Sequence, residues 1–512
     1  MWKTHGILAL ILMLNLAACG PGHPIRSEEH PSAVPAKSVP DAILVSRQLA
    51  DARKLVARQD WPEANKALQG IVEANSFTKV SGDLQHDVLT IAGRVAFDHG
   101  SPQLANEYFV RAASLPQADF VDWYSLLLAA DKVGNAPESV RALTVLVQRW
   151  PDRSIKFRPR PILNVINEAK KSGRDSALAL LQALYDAHWK LEWDIEPSEA
   201  WRDLILRLVE KGRIAQAIDV STHVTDVYVL ISMRADRRFD AVTAANAAQF
   251  DIDAAAKREL RNFQAAAENA PQSLGLQIHV IEALLGLQRY EAALAACDSV
   301  FLSIRSTNYP AKLYTDYDEN YNWLLDERSD LLQRVGRWDE AVAQLSAASN
   351  VFENHMGNVS QLINLAQLYT DLDRPKEALE AIGRITEKPS PFGAMQLERV
   401  RLEAASQLGD SVQVARSMQY LKEHRADAPD AYDDSLIDVN RLDLAAKSLI
   451  AQLRDEDQRA TVLARIQTYD SPLETPRVAE FYAHWRTVFA REDVRAAIQQ
   501  VGRVEKYDLE YR

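Results

Sequence analysis

The densest run of side chains able to do chemistry lies between Asn308 and Trp323, where Tyr314, Tyr317, Tyr321 and Trp323 are interleaved with Asp316, Asp318 and Glu319. Aromatic rings supply broad, rigid contact area, and carboxylates attract a basic or hydroxyl-rich ligand. Tyr314, Asp316, Tyr317, Asp318, Tyr321 and Trp323 are therefore the candidate ligand or partner surface. The same residues also fit plain packing, with Trp323 and Leu324 opening a helix, Asp316 or Asp318 capping it, and the tyrosines resting on the preceding elements. Oxygen donors at Asp316, Asp318, Asn320 and Asn322, with Glu327 eleven positions after Asp316, alternate as calcium ligands do. Two residues count against that: Tyr321 stands where the sharp turn needs glycine, and Leu324 replaces a ligand. No metal is expected. Cleaving a glycosidic bond would need two carboxylates roughly 5–10 Å apart across a cleft, and Asp316, Asp318 and Glu319 are the first suspects. The histidines are scattered, and no HExxH pair, GxSxG elbow or phosphate-cradling glycine loop occurs, so no catalytic residue and no cofactor is assigned. Cys297, between Ala293 and Val300 on one helical face, reads as a buried structural thiol.

The other cysteine, Cys19, ends the tetrapeptide Leu16-Ala17-Ala18-Cys19. Before it, Met1 to His5 carry a lysine, and Gly6 to Leu16 form an apolar run broken only by Asn15. A helix of that length rises only about 16 Å, half the hydrocarbon thickness of a bilayer, which suits an export signal over 1–18 better than a membrane span. The tetrapeptide resembles the lipobox of bacterial lipoproteins. That resemblance implies cleavage before Cys19, a diacylglycerol on its sulfur and an acyl chain on its new amino terminus. Gly20 in place of aspartate then implies the outer membrane of a Gram-negative cell, with the body facing the periplasm. An ordinary signal ending at Ala18 fits the same small residues. Two or three acyl chains anchor lastingly where one is marginal. Residues 19–40 hold five prolines and few apolar side chains. They read as a disordered tether reaching about 65 Å in polyproline form and about 25 Å as a flexible coil.

Behind the tether stand about 470 residues, more than one compact core usually supports, so several domains or a repeat array are expected. The net charge of −12 argues against a nucleic-acid partner. With Cys19 acylated, Cys297 has no disulfide partner, and stability must come from packing.

A turn followed by a small residue recurs along 41–425. It appears at Asp60-Trp61-Pro62-Glu63-Ala64, Gly100 to Ala105, Gly134 to Ser139, Gly212 to Ala217, Arg289 to Ala293, Gly336 to Ala341 and Asp373 to Ala378. Weaker copies begin near Gly173, Arg238, Gly409 and Asn440. One copy sets Leu362, Leu365, Ala366 and Tyr369 on a first helix, Ala378 and Ile382 on a second, and Pro389 after it. This order of large and small positions resembles the tetratricopeptide repeat, a unit of about 34 residues. Small residues let two helices approach at their crossing, large ones fill the groove beside it, and proline ends the second helix. The expected fold is all-α, an α-solenoid of stacked antiparallel hairpins over 41–425 followed by degenerate repeats and a cap over 426–512. Ile281 occupies a usually small position, and several units are too long, so some pairs should be splayed.

Three further segments stand out. Arg149, Arg153, Lys156, Arg158 and Arg160 crowd around Pro151, Pro159 and Pro161, a basic connection that could meet phosphate headgroups or an acidic segment. Asp427, Asp430, Asp433, Asp434 and Asp438 read as a solvated hinge. The tail from Val504 to Tyr511 alternates apolar and acidic residues, as a cap lying along the stack or a strand offered to a partner's sheet. Hairpin stacks hold peptides and protein segments on their concave side, so the expected role is a non-enzymatic envelope scaffold binding proteins of an outer-membrane or export assembly. The alternatives are a glycan- or peptide-binding lipoprotein serving uptake and a cell-wall glycan enzyme.

Overall fold

The computed structural model describes residues 40–353, 357–470 and 473–510. The export signal, Cys19 and the tether up to 39 lie outside the described residues, as does Tyr511. The chain divides into two compact units, one ending at Gly100 and one beginning at Ser101.

In the first unit, helices Asp41–Ala57, Trp61–Glu73 and Gly82–His99 pack around Val45, Leu49, Leu68, Ile71, Val88 and Leu89. Trp61 stacks on His99 with ring centroids 3.9 Å apart.

Among its described residues the second unit is helical apart from one two-residue strand pair and one isolated bridge. Its repeat is Tyr317–Arg334 with Trp338–Ala348, then Ser360–Asp371 with Pro375–Gly383, Pro391–Gln407 with Ser411–Glu423, and Pro429–Asp438 with Leu442–Arg454. First helices of neighbouring hairpins also touch, Ser360–Asp371 on Pro391–Gln407 and that on Pro429–Asp438.

One reversal joins these helices throughout. Its first residue is left-handed: Gly134, Gly212, Gly336 and Gly409 have φ between 69° and 76°. The next amide donates to a carbonyl five residues back, as Asn135 to Ala130, Arg213 to Leu208, Arg337 to Leu332 and Asp410 to Ala405. That closure satisfies carbonyls orphaned at the helix end. Gln288, Asp373 and Asn440 take the same conformation at φ 54–58° without being glycine, as Gln59 does in the first unit. The register then fixes the helix crossing. Five residues after Gly212, Gln288, Gly336, Asp373 and Asn440 stand Ala217, Ala293, Ala341, Ala378 and Ala445, all fully buried, with Ala64 in the same place in the first unit; Gly134 is followed there by the buried Ser139 and Gly409 by the half-buried Val414. A larger side chain there would push the paired helices apart.

The end of the chain does more than cap the last hairpin. Tyr507 and Leu509 lie in the core built by Val140 to Ala256, and Ala235 lies in the core built by Met395 to Ile498. Helix Val227–Ala235 packs on helix Arg459–Arg465. Strand Lys506–Tyr507 runs parallel to Thr468–Tyr469, so the tail strand is paired within its own chain. Gly502 bridges Asp236, the Arg503 amide donates to the Ala235 carbonyl at 2.9 Å, and the Glu510 amide donates to the Gly286 carbonyl at 3.0 Å. The Glu510 carboxylate is buried, accepts from Tyr290 Oη at 2.9 Å and pairs with Arg334. The run from Asp427 to Asp438, expected as a hinge, is instead mostly the helix Pro429–Asp438 with Asp433 fully buried. Asp433, Asp434 and Asp438 are drawn in because Arg465 and Arg399 meet them there, while Asp427 and Asp430 stay exposed.

Candidate functional site

The aromatic and acidic stretch is divided by the start of helix Tyr317–Arg334. Asp316 accepts from the Leu274 amide at 2.7 Å, the Gly275 amide at 3.0 Å and Ser273 Oγ at 3.0 Å. It thereby closes the amino end of helix Leu274–Gly286, a position where a carboxylate satisfies orphan amides and meets the positive end of the helix dipole. Tyr314 is buried. Tyr317 and Tyr321, one turn apart, stack at 4.8 Å, and Tyr321 meets Phe301 edge-on. Asp318 and Trp323 are exposed. The six residues thus separate into four that pack and two that face solvent. Helical geometry spreads the oxygens of Asp318, Asn320 and Asn322 around the helix, and Asn322 is buried, donating to Gln361 at 3.0 Å. Among the described residues no cluster of three or more His, Cys, Asp or Glu could hold a metal ion. Cys297 is fully buried, and burial, reinforced by Glu327, pushes its thiol up to about 12.

A more concentrated arrangement lies elsewhere, where helix Pro476–Ala490 crosses the first helices of three successive hairpins. A cavity of about 280 Å³ opens between them. Each helix contributes a pair four residues apart: Gln367 and Asp371, Arg399 and Glu403, Asp434 and Asp438, Arg477 and Phe481. That spacing places both members on one helical face.

Glu403, 3% exposed, accepts from Gln367 Nε2 at 2.9 Å and Thr370 Oγ1 at 3.1 Å, with Arg477 Nε 3.7 Å away. Gln367 Nε2 also donates to Asp371 at 3.0 Å. Arg399 approaches Asp434 at 3.4 Å and Asp438 at 3.3 Å, its guanidinium 5.4 Å above the Phe481 ring. Behind this layer, Asp433 accepts from Gln452 at 2.7 Å and Arg465 at 3.1 Å, and Trp485 Nε1 donates to Asp434 at 3.2 Å.

Acids outnumber bases around this cavity, and the charges respond accordingly. Burial, then repulsion from Glu403, raises the Asp371 carboxyl to about 7. Burial also raises Asp438 well above the carboxylate range, against the pull of Arg399. Burial works against the Arg399 cation, but Asp438, Asp434, Glu403 and Asp371 together hold its pKa above the ordinary value. A carboxyl that gains and loses its proton near neutrality, flanked by fixed charges and an open space, can accept or donate a hydrogen bond to an entering polar or charged group.

The raised Asp371 pKa has a thermodynamic sign. The stability it contributes is complete below its unfolded value of about 3.9 and is lost as pH rises through about 7. Asp371→Asn should therefore raise the melting temperature by a few degrees at pH 8 and change it little at pH 4. Thermal unfolding at both pH values checks this, and an equal difference at the two would refute it.

The cavity residues carry no sequence motif. Gln367, Asp371, Arg399, Glu403 and Arg477 sit among other polar residues of their helices and carried no signal, whereas the acidic run that includes Asp434 and Asp438 stood out in the sequence.

No family model and no curated protein matches the chain. Among solved structures it is similar to a Rap protein complexed with competence and sporulation factor, at 14% identity over 86% of this chain and 99% of that chain, TM-score 0.28. Yeast Tom70 aligns at 10% identity over 90% of this chain and 100% of that chain, TM-score 0.34. A tetratricopeptide repeat protein from Parabacteroides merdae ATCC 43184 aligns at 11% identity over 66% of this chain and 98% of that chain, TM-score 0.26. What makes this chain a hairpin stack is its own recurring turn and buried alanine, not these likenesses.

Proposed function

We propose that this chain is a non-enzymatic scaffold lipoprotein, tethered to the outer membrane through acyl groups on Cys19 and facing the periplasm, which binds protein partners of an envelope assembly or export machine. The observation that carries the binding role is the charged cavity between helix Pro476–Ala490 and three successive first helices. Stacked hairpins present such faces to polypeptide segments. A partner side chain entering between Arg399 and Asp371 would find both charge signs and a titrating carboxyl. The lipid anchor rests on the sequence from Met1 to Cys19, and the reading calls for no cofactor beyond the acyl chains.

In-cell crosslinking from a photoreactive residue at His484, on the cavity wall, tests the role. One dominant envelope protein should be captured, and capture should fall when Arg399→Lys and Asp371→Asn are combined. Recovery of no protein adduct, with the chain folded and in the membrane fraction, would refute the scaffold role. The glycan-binding alternative is favoured by one feature, the exposed Trp323 ring, a broad flat surface on which a sugar could stack.

A further inference from the structure

The basic segment from Arg149 to Arg160 forms a rigid surface whose charge the fold does not use. Arg149, Arg153, Lys156, Arg158 and Arg160 are all exposed. Among the described residues none of the five is engaged by an acidic side chain. Two exposed acids lie nearby in the chain, Asp152 and Asp119, the latter with its Oδ1 accepting from the Val121 amide at 2.7 Å and the Asp122 amide at 3.2 Å.

Two cations are held in place by aromatic rings. The Arg153 guanidinium lies 5.2 Å over Phe120, and that of Arg149 lies 4.9 Å over Trp150. A guanidinium stacked by one face keeps its N–H edge free for phosphate oxygens. Phe120 in turn meets Trp150 at 5.8 Å and Phe157 at 6.3 Å, so both arginines stand on one aromatic platform. The loop is pinned from beneath: Ser154 is fully buried and its hydroxyl donates to the Leu146 carbonyl at 2.9 Å. Helix Pro159–Ser172 then begins on a proline whose φ is already set. Little ordering entropy remains to be lost on binding.

Apolar tips accompany the charge. Ile155 and Leu163 are each 37% exposed, Leu163 one turn along its helix from Arg160. Cations flanked by exposed aliphatic and half-buried aromatic side chains match the two layers of a lipid interface, phosphate outside and acyl chain beneath. An acidic protein segment would use the cations and leave the apolar tips in water.

We infer that this face is a docking surface for an anionic phospholipid membrane, with the arginines and lysine on headgroup phosphates and Ile155 and Leu163 at the acyl boundary. The inference does not require Cys19 acylation, and its test omits it. The unacylated chain from Gly20 to Arg512 keeps every described residue, and its flotation with vesicles can be measured directly. It should float with vesicles of phosphatidylcholine mixed with phosphatidylglycerol, not with phosphatidylcholine alone, and salt should release it.

Each basic side chain near an anionic surface contributes about fivefold in partition, so Arg153→Gln, Lys156→Gln and Arg158→Gln together should lower binding about 100-fold. Ile155→Ser with Leu163→Ser should weaken it at unchanged charge, and both variants should keep the parent melting temperature. Failure to float, equal binding to both vesicle types, or parent-level binding by the triple variant would overturn the inference. Binding of polyglutamate in place of vesicles would overturn it in favour of an acidic protein segment, and displacement by inorganic phosphate at the same concentration would reduce it to a free-phosphate site.

Discussion

Arg399→Ala should destabilise the unit from Ser101 onward by about 3–5 kcal/mol, because removing one partner of a buried ion cluster leaves its acids uncompensated. Arg399 is 18% exposed at its side chain and is the cation nearest both Asp434 and Asp438. Without it, Arg477 would be the remaining guanidinium beside Glu403, 3.7 Å away. The desolvation cost already borne by these carboxylates would no longer be offset by attraction. Urea titration at neutral pH is the measurement, with a fall in midpoint and a nearly unchanged slope. The defect should shrink toward pH 4, as the raised Asp371 and Asp438 take up protons that substitute for the missing charge. Arg399→Lys should recover part of the loss, since it restores the charge without the planar fork. A midpoint change worth less than about 0.5 kcal/mol, the scale of ordinary surface substitutions, would show the cluster to be solvated and the argument wrong.

Gly502→Ala is expected to cost about 1–3 kcal/mol, the range for forcing one extra carbon into a packed interior, and to fall at its upper end. A Cβ there would stand 2.5 Å from the Ala235 carbonyl oxygen and 2.7 and 2.8 Å from the two δ carbons of Leu463. The first neighbour is backbone and cannot swing aside, and Leu463 is fully buried. The backbone at Gly502 is extended, so the conflict is contact and not conformation. Relief requires the tail to lift from Ala235, which would release the Arg503 amide and weaken the pairing of Lys506 with Thr468. Trypsin should then cut after Arg503 and Lys506 faster than in the parent chain, and the melting temperature should fall. Parent-like cleavage and melting would mean that the carboxyl-terminal helices shift freely to accommodate the methyl group.

The contrast between these two sites and the hairpin turns shows which parts of the fold were legible. Gly134, Gly212 and Gly336 announced the reversals because a left-handed residue is a local demand, and Ala217, Ala341 and Ala378 announced the crossing because it follows the turn at fixed register. At Asn440, where asparagine takes the left-handed position, the signal was weaker although the turn is the same.

Long-range placement was not written in any local pattern. Nothing around Asp434 or Asp438 says that Arg399, about one hairpin earlier, will sit between them. Asp316 looked like a ligand or a cap for its own helix, and it closes helix Leu274–Gly286, the first helix of the preceding hairpin. Tyr507 and Leu509 showed only alternation, and the core they enter is built far upstream, from Val140 to Ala256.

That return of the chain changes how the unit should come apart and come together. In an open array of repeats each unit leans only on its neighbours, so ends fray and folding spreads from any point. Here the contacts joining Tyr228, Arg334 and Glu510 tie sequence-distant hairpins into one network. Pairings of such separation slow folding, since the loop they enclose must be ordered before they reward it. On a ribosome the earlier hairpins would emerge with part of their interior unfilled, waiting for a segment still to be synthesised.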